Sequence, residues 1–275
     1  MTNEIVSARL VRPATSTPST ITGLLHGLGS GTSVWDGLLP LLPPQLEVWA
    51  YHLPWDTAGG SGWAEHRDSR VWLERAFDAA PVRPELVVAH SFGANVLLDS
   101  ICAGGPGLGR GLVLISPFYR PAARAFDWAA MSHYMNDFDE LIRSGIKRRR
   151  GPRLGTAFAA TGGDDLLEAM VAKVRERIGP YGWLRFFDLF TQTPFLDLSA
   201  VDVPCLVLGG GRDTAAYPAD VRSLGHALPD AQTHILPDSG HFSMIDDTAG
   251  VAALAGPFLG GLSTGVMNRQ EGSRT

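Results

Sequence analysis

Cysteine is scarce in this chain, with Cys102 and Cys205 the two examples in 275 residues. Cys102 lies in a helix-like apolar run and Cys205 in the strand-like Val203-Pro204-Cys205-Leu206-Val207-Leu208. Both therefore read as buried free thiols in a reducing compartment, and a disulfide framework is excluded. The eight histidines form neither an H-E-x-x-H pattern nor a cysteine-paired set, so no metal site is expected. Long hydrophobic runs are absent, and Met1 to Val6 lack the basic start and apolar core of a secretory leader. Positive charge is in deficit, 23 Lys and Arg against 28 Asp and Glu, which gives no global attraction to nucleic acid or to an anionic membrane. The local basic run Lys147-Arg148-Arg149-Arg150 reads as a solvated helix end. Residues 26–31, His-Gly-Leu-Gly-Ser-Gly, are glycine-rich but lack the G-x-G-x-x-G spacing and the acidic partner of a dinucleotide fold. These absences point to a soluble, cytoplasmic protein with no nucleic-acid or membrane partner and no cofactor.

What is present is enough apolar material, 45% of the residues, for one large core and an inserted subdomain. Short apolar runs at 21–25, 47–51, 85–88, 111–115, 204–208 and 232–236 read as buried strands. Helical spacing or composition occurs between them, at 63–79, 92–103, 218–228 and 248–258. This alternation predicts an α/β fold with a mostly parallel central sheet flanked by helices. Residues 118–196 break the rhythm. They are too long for a simple crossover, rich in aromatics and Met, and helix-like at 137–147 and 164–178, which predicts a helical cap insertion. The expected organisation is a core in two parts, 1–117 and 197–262, with the cap at 118–196 and a flexible tail at 263–275.

Three residues at predicted strand ends carry candidate chemistry. Ser91, in Ala89-His90-Ser91-Phe92-Gly93, sits where a strand run meets a helical one, with small residues two positions away on each side. A sharp strand-turn-helix elbow requires that pattern and exposes the hydroxyl for attack on a carbonyl. A plain reading of the same serine is a helix cap. Asp213 follows Leu208-Gly209-Gly210-Gly211-Arg212, whose glycines permit a tight loop, although a turn aspartate capping the next helix would look the same. His241 lies in Ser239-Gly240-His241-Phe242, after the last strand. Together they supply nucleophile, acid and base in chain order over successive strand ends. Asp238, Asp246 and Asp247 compete for the acid role by proximity to His241 in the chain, but the glycine loop favours Asp213.

Over residues 20–261 the chain resembles the α/β-hydrolase superfamily, in particular its capped members with a short His-Gly oxyanion motif. The resemblance rests on Leu25-His26-Gly27-Leu28-Gly29, Ala89-His90-Ser91-Phe92-Gly93, Gly211-Arg212-Asp213 and Gly240-His241-Phe242. It implies an oxyanion hole at the backbone N–H groups of Leu28 and Phe92, with His26 supporting the loop. Ala89 stands where the family more often has glycine, and Tyr51-His52-Leu53-Pro54-Trp55-Asp56-Thr57 departs from a loop common in relatives. Haloalkane dehalogenases and epoxide hydrolases of this fold place an aspartate where Ser91 stands. The expected activity is cleavage of a medium-sized hydrophobic ester or lactone through an acyl-serine. Alternatives are a thioesterase or cyclising acyltransferase using coenzyme A or an acyl carrier protein, a carbon-carbon bond hydrolase or lyase, and a non-enzymatic small-molecule receptor. For the thioesterase, the basic run at 147–150 would meet the phosphate of the carrier arm. Substrate-lining candidates are Trp128, Met131, Trp183 and Phe187, within a set that includes Phe126, Tyr134, Phe186, Phe190 and Phe195. Arg120, Arg124 or Arg212 could hold a substrate carboxylate. A monomer or homodimer is expected.

Overall fold

The computed structural model describes residues 6–55, 61–66, 68–105, 109–121, 132, 138–144, 146 and 163–265. Seven strands form one sheet: β1 (Ser7–Arg12), β2 (Thr20–Leu25), β3 (Leu46–His52), β4 (Leu86–His90), β5 (Gly111–Ile115), β6 (Cys205–Gly210) and β7 (Ala231–Leu236). Their spatial order is β1-β3-β2-β4-β5-β6-β7, with β1 antiparallel to β3 and every other pairing parallel. All six strands expected from the sequence are present, each within two residues of its expected ends.

Strands β4, β5 and β6 are buried along their whole length, and successive side chains serve opposite faces. Val87, Ala89, Leu112, Leu114, Cys205 and Val207 join one apolar cluster, while Leu86, Val88, Val113, Ile115, Leu206 and Leu208 join another. With both faces covered, a strand needs no polar alternation, and this is why these segments read as continuous apolar runs. The first face is covered by α1 (Arg70–Asp78) through Trp72 and Leu73 and by α2 (Phe92–Cys102) through Leu97 and Leu98. The helix Pro218–Ala227 adds Val221 and Leu224 to the same cluster. The second is covered by the helix Thr248–Thr264 through Val251, Ala255 and Leu259, with Trp35 and Leu38 beside it.

A helical region is inserted between β5 and β6. Residues 138–144 are helical, within the span expected at 137–147. Helix α3 (Gly163–Gln192) follows the expected course as far as Ile178, then bends at Gly179 (φ 60°, ψ 178°), before Pro180. A second arm, 180–192, continues beyond the expected end, because Pro at the start of an arm suits a helix whose first amides need no partner. Helix α4 (Pro218–Ala227) and the short α5 (Ser243–Asp246) precede α6 (Thr248–Thr264). Two polar clamps close the base of the insertion. Asn95 on α2 donates to the Phe118 carbonyl (2.6 Å) and accepts from the Phe118 amide (3.0 Å), and Thr193 Oγ1 accepts from the Arg120 amide (3.0 Å).

Other expectations are corrected. Strand β1 was not foreseen, since Ser7-Ala8-Arg9-Leu10-Val11-Arg12 mixes arginine with apolar residues and none of its side chains is fully buried. It is held as an edge strand by its ladder to β3 and by Arg12, which donates to the carbonyls of Leu42 (2.7 Å) and Leu46 (3.1 Å). The single helix expected at 63–79 is a short 3-10 helix, Ser61–Glu65, followed by α1, whose start is set by Asp68 accepting from the Arg70 amide (2.9 Å). Helix α6 runs past 258 to Thr264, despite Pro257 and its glycines, because Phe258, Leu259 and Leu262 remain packed on the sheet. Cys205 is buried but Cys102 is half-buried, and burial pushes their thiols up to about 12 and about 11. Among the described residues no helix is long and apolar enough to cross a membrane.

Candidate active site

Strand β2 is flanked by β3 on one side and β4 on the other, so the chain leaves β2 in one direction and returns to its opposite neighbour. Loops after two such strands diverge and open a crevice at their C-terminal ends. Residues 26–31 follow β2, and Ser91 follows β4, so both border that crevice.

Glycine lets these two loops interlock. A Cβ on Gly27 would lie 2.9 Å from His90 Nδ1 and 3.0 Å from Ser91 Cβ, and one on Gly93 would lie 2.5 Å from the His26 carbonyl oxygen. His26, fully buried, fixes its own loop: its Nε2 accepts from the Leu53 amide (3.1 Å) and its Nδ1 contacts the Gly27 carbonyl (3.0 Å). Its carbonyl accepts from the Trp55 indole (3.1 Å).

Ser91 stands at φ 52°, ψ −123°, a backbone conformation that costs an L-residue about 1–3 kcal/mol. The surroundings hold it there: its amide donates to the Ile115 carbonyl on β5 (2.9 Å) and its carbonyl accepts from Asn95 in the first turn of α2 (3.1 Å). Its hydroxyl does not cap the helix. It faces His241 Nε2 at 2.8 Å instead.

His241 Nδ1 lies 2.8 Å from Asp213 Oδ2. The other Asp213 oxygen accepts from the amides of Ala215 (2.8 Å) and Ala216 (2.9 Å), which fixes the carboxylate in the loop after β6. The N-cap of α4 is Tyr217, so Asp213 does not cap that helix. A Cβ on Gly210 would strike the Gly240 carbonyl and one on Gly211 would lie 2.5 Å from the Pro237 carbonyl, so only glycine lets the Asp213 and His241 loops touch. The three competing carboxylates are engaged elsewhere: Asp238 pairs with Arg212 (2.5 Å), Asp246 accepts from the Gly240 amide (2.8 Å) and Asp247 caps α6 through the Gly250 amide (2.9 Å).

Sequence reasoning missed one contributor. His90 Nε2 lies 3.0 Å from the His241 carbonyl oxygen, and its ring packs against those of His241 (4.9 Å) and Phe242 (5.1 Å). A residue beside the elbow thus ties down the loop after β7. The signal was its place before Ser91, which alone does not reveal a bond to residue 241.

Ser91, His241 and Asp213 are 8%, 5% and 3% exposed. With hydrogen on Nδ1, His241 donates to the carboxylate and accepts from the serine hydroxyl, so it can receive that proton as the oxygen attacks a carbonyl. A chamber of about 30 Å³ adjoins Ser91 and His241, bordered by Leu28, His90, Phe118, Trp183, Phe186 and Thr214 among others. A larger cavity of about 250 Å³ shares Leu28, Phe138, Leu141 and Phe242 with it and extends along α3. Leu28 therefore borders both spaces. Phe92 is fully buried, its ring edge-on to Trp55 (5.2 Å), and its amide belongs to the first turn of α2, where N–H groups lack helical partners. Phe187 borders neither space and stacks on Trp183 (6.0 Å) within the core cluster, together with Phe186 and Phe190. Phe195 is 79% exposed. Trp128, Met131, Phe126, Tyr134, Arg124 and the basic run 147–150 lie outside the described residues. Of the other proposed carboxylate holders, Arg212 is spent on Asp238, and Arg120 borders neither cavity. Among the described residues no group of three or more His, Cys, Asp or Glu is placed to hold a metal ion.

The fold and this cleft define a class, and comparison with known proteins supplies the family. The profile of the alpha/beta hydrolase family matches residues 24–254, and the chain belongs to that family. N-formylmaleamate deformylase from Pseudomonas putida is 28% identical over 174 residues, 63% of this chain. The chain spans about 62% of the length of that relative. Among solved structures, a candidate lipase from Acinetobacter baumannii is 18% identical, with a TM-score of 0.64 over 94% of this chain and 93% of its own. An enol-lactonase from Burkholderia xenovorans is also 18% identical, with a TM-score of 0.55 over 93% and 96%. At such identities the likeness is one of fold.

Proposed function

We propose that the protein is a serine hydrolase that cleaves a small-molecule acyl compound through a covalent acyl-serine. The observation that carries this reading is the continuous relay from Asp213 Oδ2 to His241 to Ser91 Oγ, with 2.8 Å at each junction. Ser91 Oγ attacks the carbonyl carbon while its proton passes to His241 Nε2, and Asp213 stabilises the resulting imidazolium. The backbone N–H groups of Leu28 and Phe92 receive the developing oxyanion. His241 then protonates the leaving group, and a water attacking with His241 as base releases the acid and restores Ser91.

The size of the chamber narrows the substrate. The space beside Ser91 is walled closely by Leu28, Phe118, Trp183 and Phe186, and this narrow apolar setting favours a short acyl group there. The rest of the molecule occupies the larger cavity, whose Leu28, Phe138, Leu141, Ile142 and Met170 favour an apolar body. This reshapes the expected hydrophobic ester or lactone into a short-acyl ester or N-acyl compound. The name of the Pseudomonas relative, a deformylase of an N-formyl compound, favours formyl, the smallest acyl group of all. The inserted region then acts as a cap, with Trp183 as a wall of the acyl chamber.

Turnover of matched formyl, acetyl, butyryl and hexanoyl esters, together with an N-formyl amide, tests the reading. Efficiency should fall as the acyl chain lengthens, and Ser91→Ala should lose about a thousandfold or more while its circular dichroism is unchanged. Near-wild-type turnover by Ser91→Ala would overturn the mechanism, and a preference for hexanoyl would overturn the short-acyl assignment.

A further inference from the structure

The larger cavity carries two cations. Lys173 and Arg177 border it, four residues apart and so on one face of the first arm of α3. Neighbouring arginines are neutralised, Arg175 by Asp139 (2.8 Å) and Arg143 by Glu168 (2.6 Å), whereas Lys173 and Arg177 have no acidic partner among the described residues. No Asp or Glu among the described residues borders the cavity. Lys173 is exposed and Arg177 half-buried, and like charges one helical turn apart repel, so an anion seated between the two heads would relieve the pair.

Position adds a second argument. Val174 and Ile178, one residue further on from each cation, rest on the loop after β2: a Cβ on Gly29, at φ +62°, would lie 3.1 Å from a methyl of each. Lys173 and Arg177 therefore stand over the same loop that contributes Leu28 to the chamber at Ser91, on the outer side of that residue.

Building on the acyl-serine reading, we infer that Lys173 and Arg177 form an anion subsite for a carboxylate borne on the leaving portion of the substrate. The acyl group fills the chamber, the apolar body crosses Leu28, and the carboxylate ends between the two cations. A cavity of about 250 Å³ accommodates a small carboxylate beside an apolar body. Guanidinium and ammonium together suit a carboxylate, the first as a planar fork and the second as a point charge.

Two measurements test the subsite and keep it separable from the acyl-serine reading. The first compares kcat/KM for 4-acetoxybutanoate and its neutral carboxamide. The wild type should favour the anion at least about tenfold, the worth of one good charge-assisted hydrogen bond. The Lys173→Gln, Arg177→Gln double variant should lose that preference, and Arg177→Glu should invert it. The second is calorimetric titration of succinate into Ser91→Ala, which needs no turnover. Succinate should bind, and adding Arg177→Gln should weaken it about tenfold. Equal turnover of the two esters together with no succinate binding would overturn the subsite and leave the acyl-serine reading intact. If neither ester is turned over, that reading falls, and succinate binding alone decides the subsite. Tighter binding of inorganic phosphate than of succinate would overturn the carboxylate assignment.

Discussion

Four aspartates approach His241 in sequence or space, and their hydrogen bonds separate them. Asp213 turns one oxygen to the imidazole and anchors the other on two backbone amides, an orientation that both holds the ring and fixes its tautomer. Asp238 is 82% exposed at its side chain and engages Arg212, where a surface ion pair contributes little. Asp213→Asn should therefore lower kcat by about a thousandfold or more, because an amide cannot accept the Nδ1 hydrogen in the same way and still bond both backbone amides. Asp238→Asn should change it by less than about threefold. Steady-state kinetics on the two variants decide the matter, and the reverse ranking would move the acid. At this scale the sequence put Ser91, Asp213 and His241 forward as candidates through local features, their order and their glycine or small neighbours, and the structure brings the three side chains together. It was silent on His90, whose bond to the His241 carbonyl spans 151 positions and has no local signature.

Among elements, the decisive contact is between the loop after β2 and the elbow after β4. Both glycines at that contact are required by space alone: their backbones occupy the volume a methyl group would need. Gly93→Ala would place its methyl 2.5 Å from the His26 carbonyl, and backbone on both sides gives the loop no flexible atom to move aside. We expect a stability loss of about 1–3 kcal/mol, read from denaturant midpoints, and a fall in kcat/KM of at least about tenfold as Leu28 shifts relative to Ser91. Wild-type stability and kinetics in this variant would show that the interlock is not what sets the site. The buried parallel strands were legible because burial on both faces makes them continuous apolar runs. Strand β1 was not, because an edge strand carrying Arg9 and Arg12 has no such run, and its pairing with β3 depends on partners about forty residues away. The second arm of α3 was hidden because Gly179-Pro180 ends the first arm, as expected, and a new helical arm starts at once from Pro180.

At the scale of the molecule, strand order does what no single motif can. Placing β3 and β4 on opposite sides of β2 opens the crevice, and the loops after β2, β4, β6 and β7 converge there with the insertion above them. The parallel sheet and its insertion could be read from the rhythm of the chain. The assignment of aromatics to pocket or core could not, because a helix face carrying Trp183, Phe186, Phe187 and Phe190 looks the same whether it meets a ligand or the rest of the protein. Trp183 and Phe186 border the chamber, while Phe187 and Phe190 pack inward. The central claim is that this convergence makes Ser91 a nucleophile. Its most direct test is peptide mapping by mass spectrometry after treating the folded protein with a small fluorophosphonate. The predicted result is one phosphonyl adduct, on Ser91, that does not form in Ser91→Ala or after unfolding. An adduct on another residue, or none on Ser91 in the folded wild type, would contradict the account.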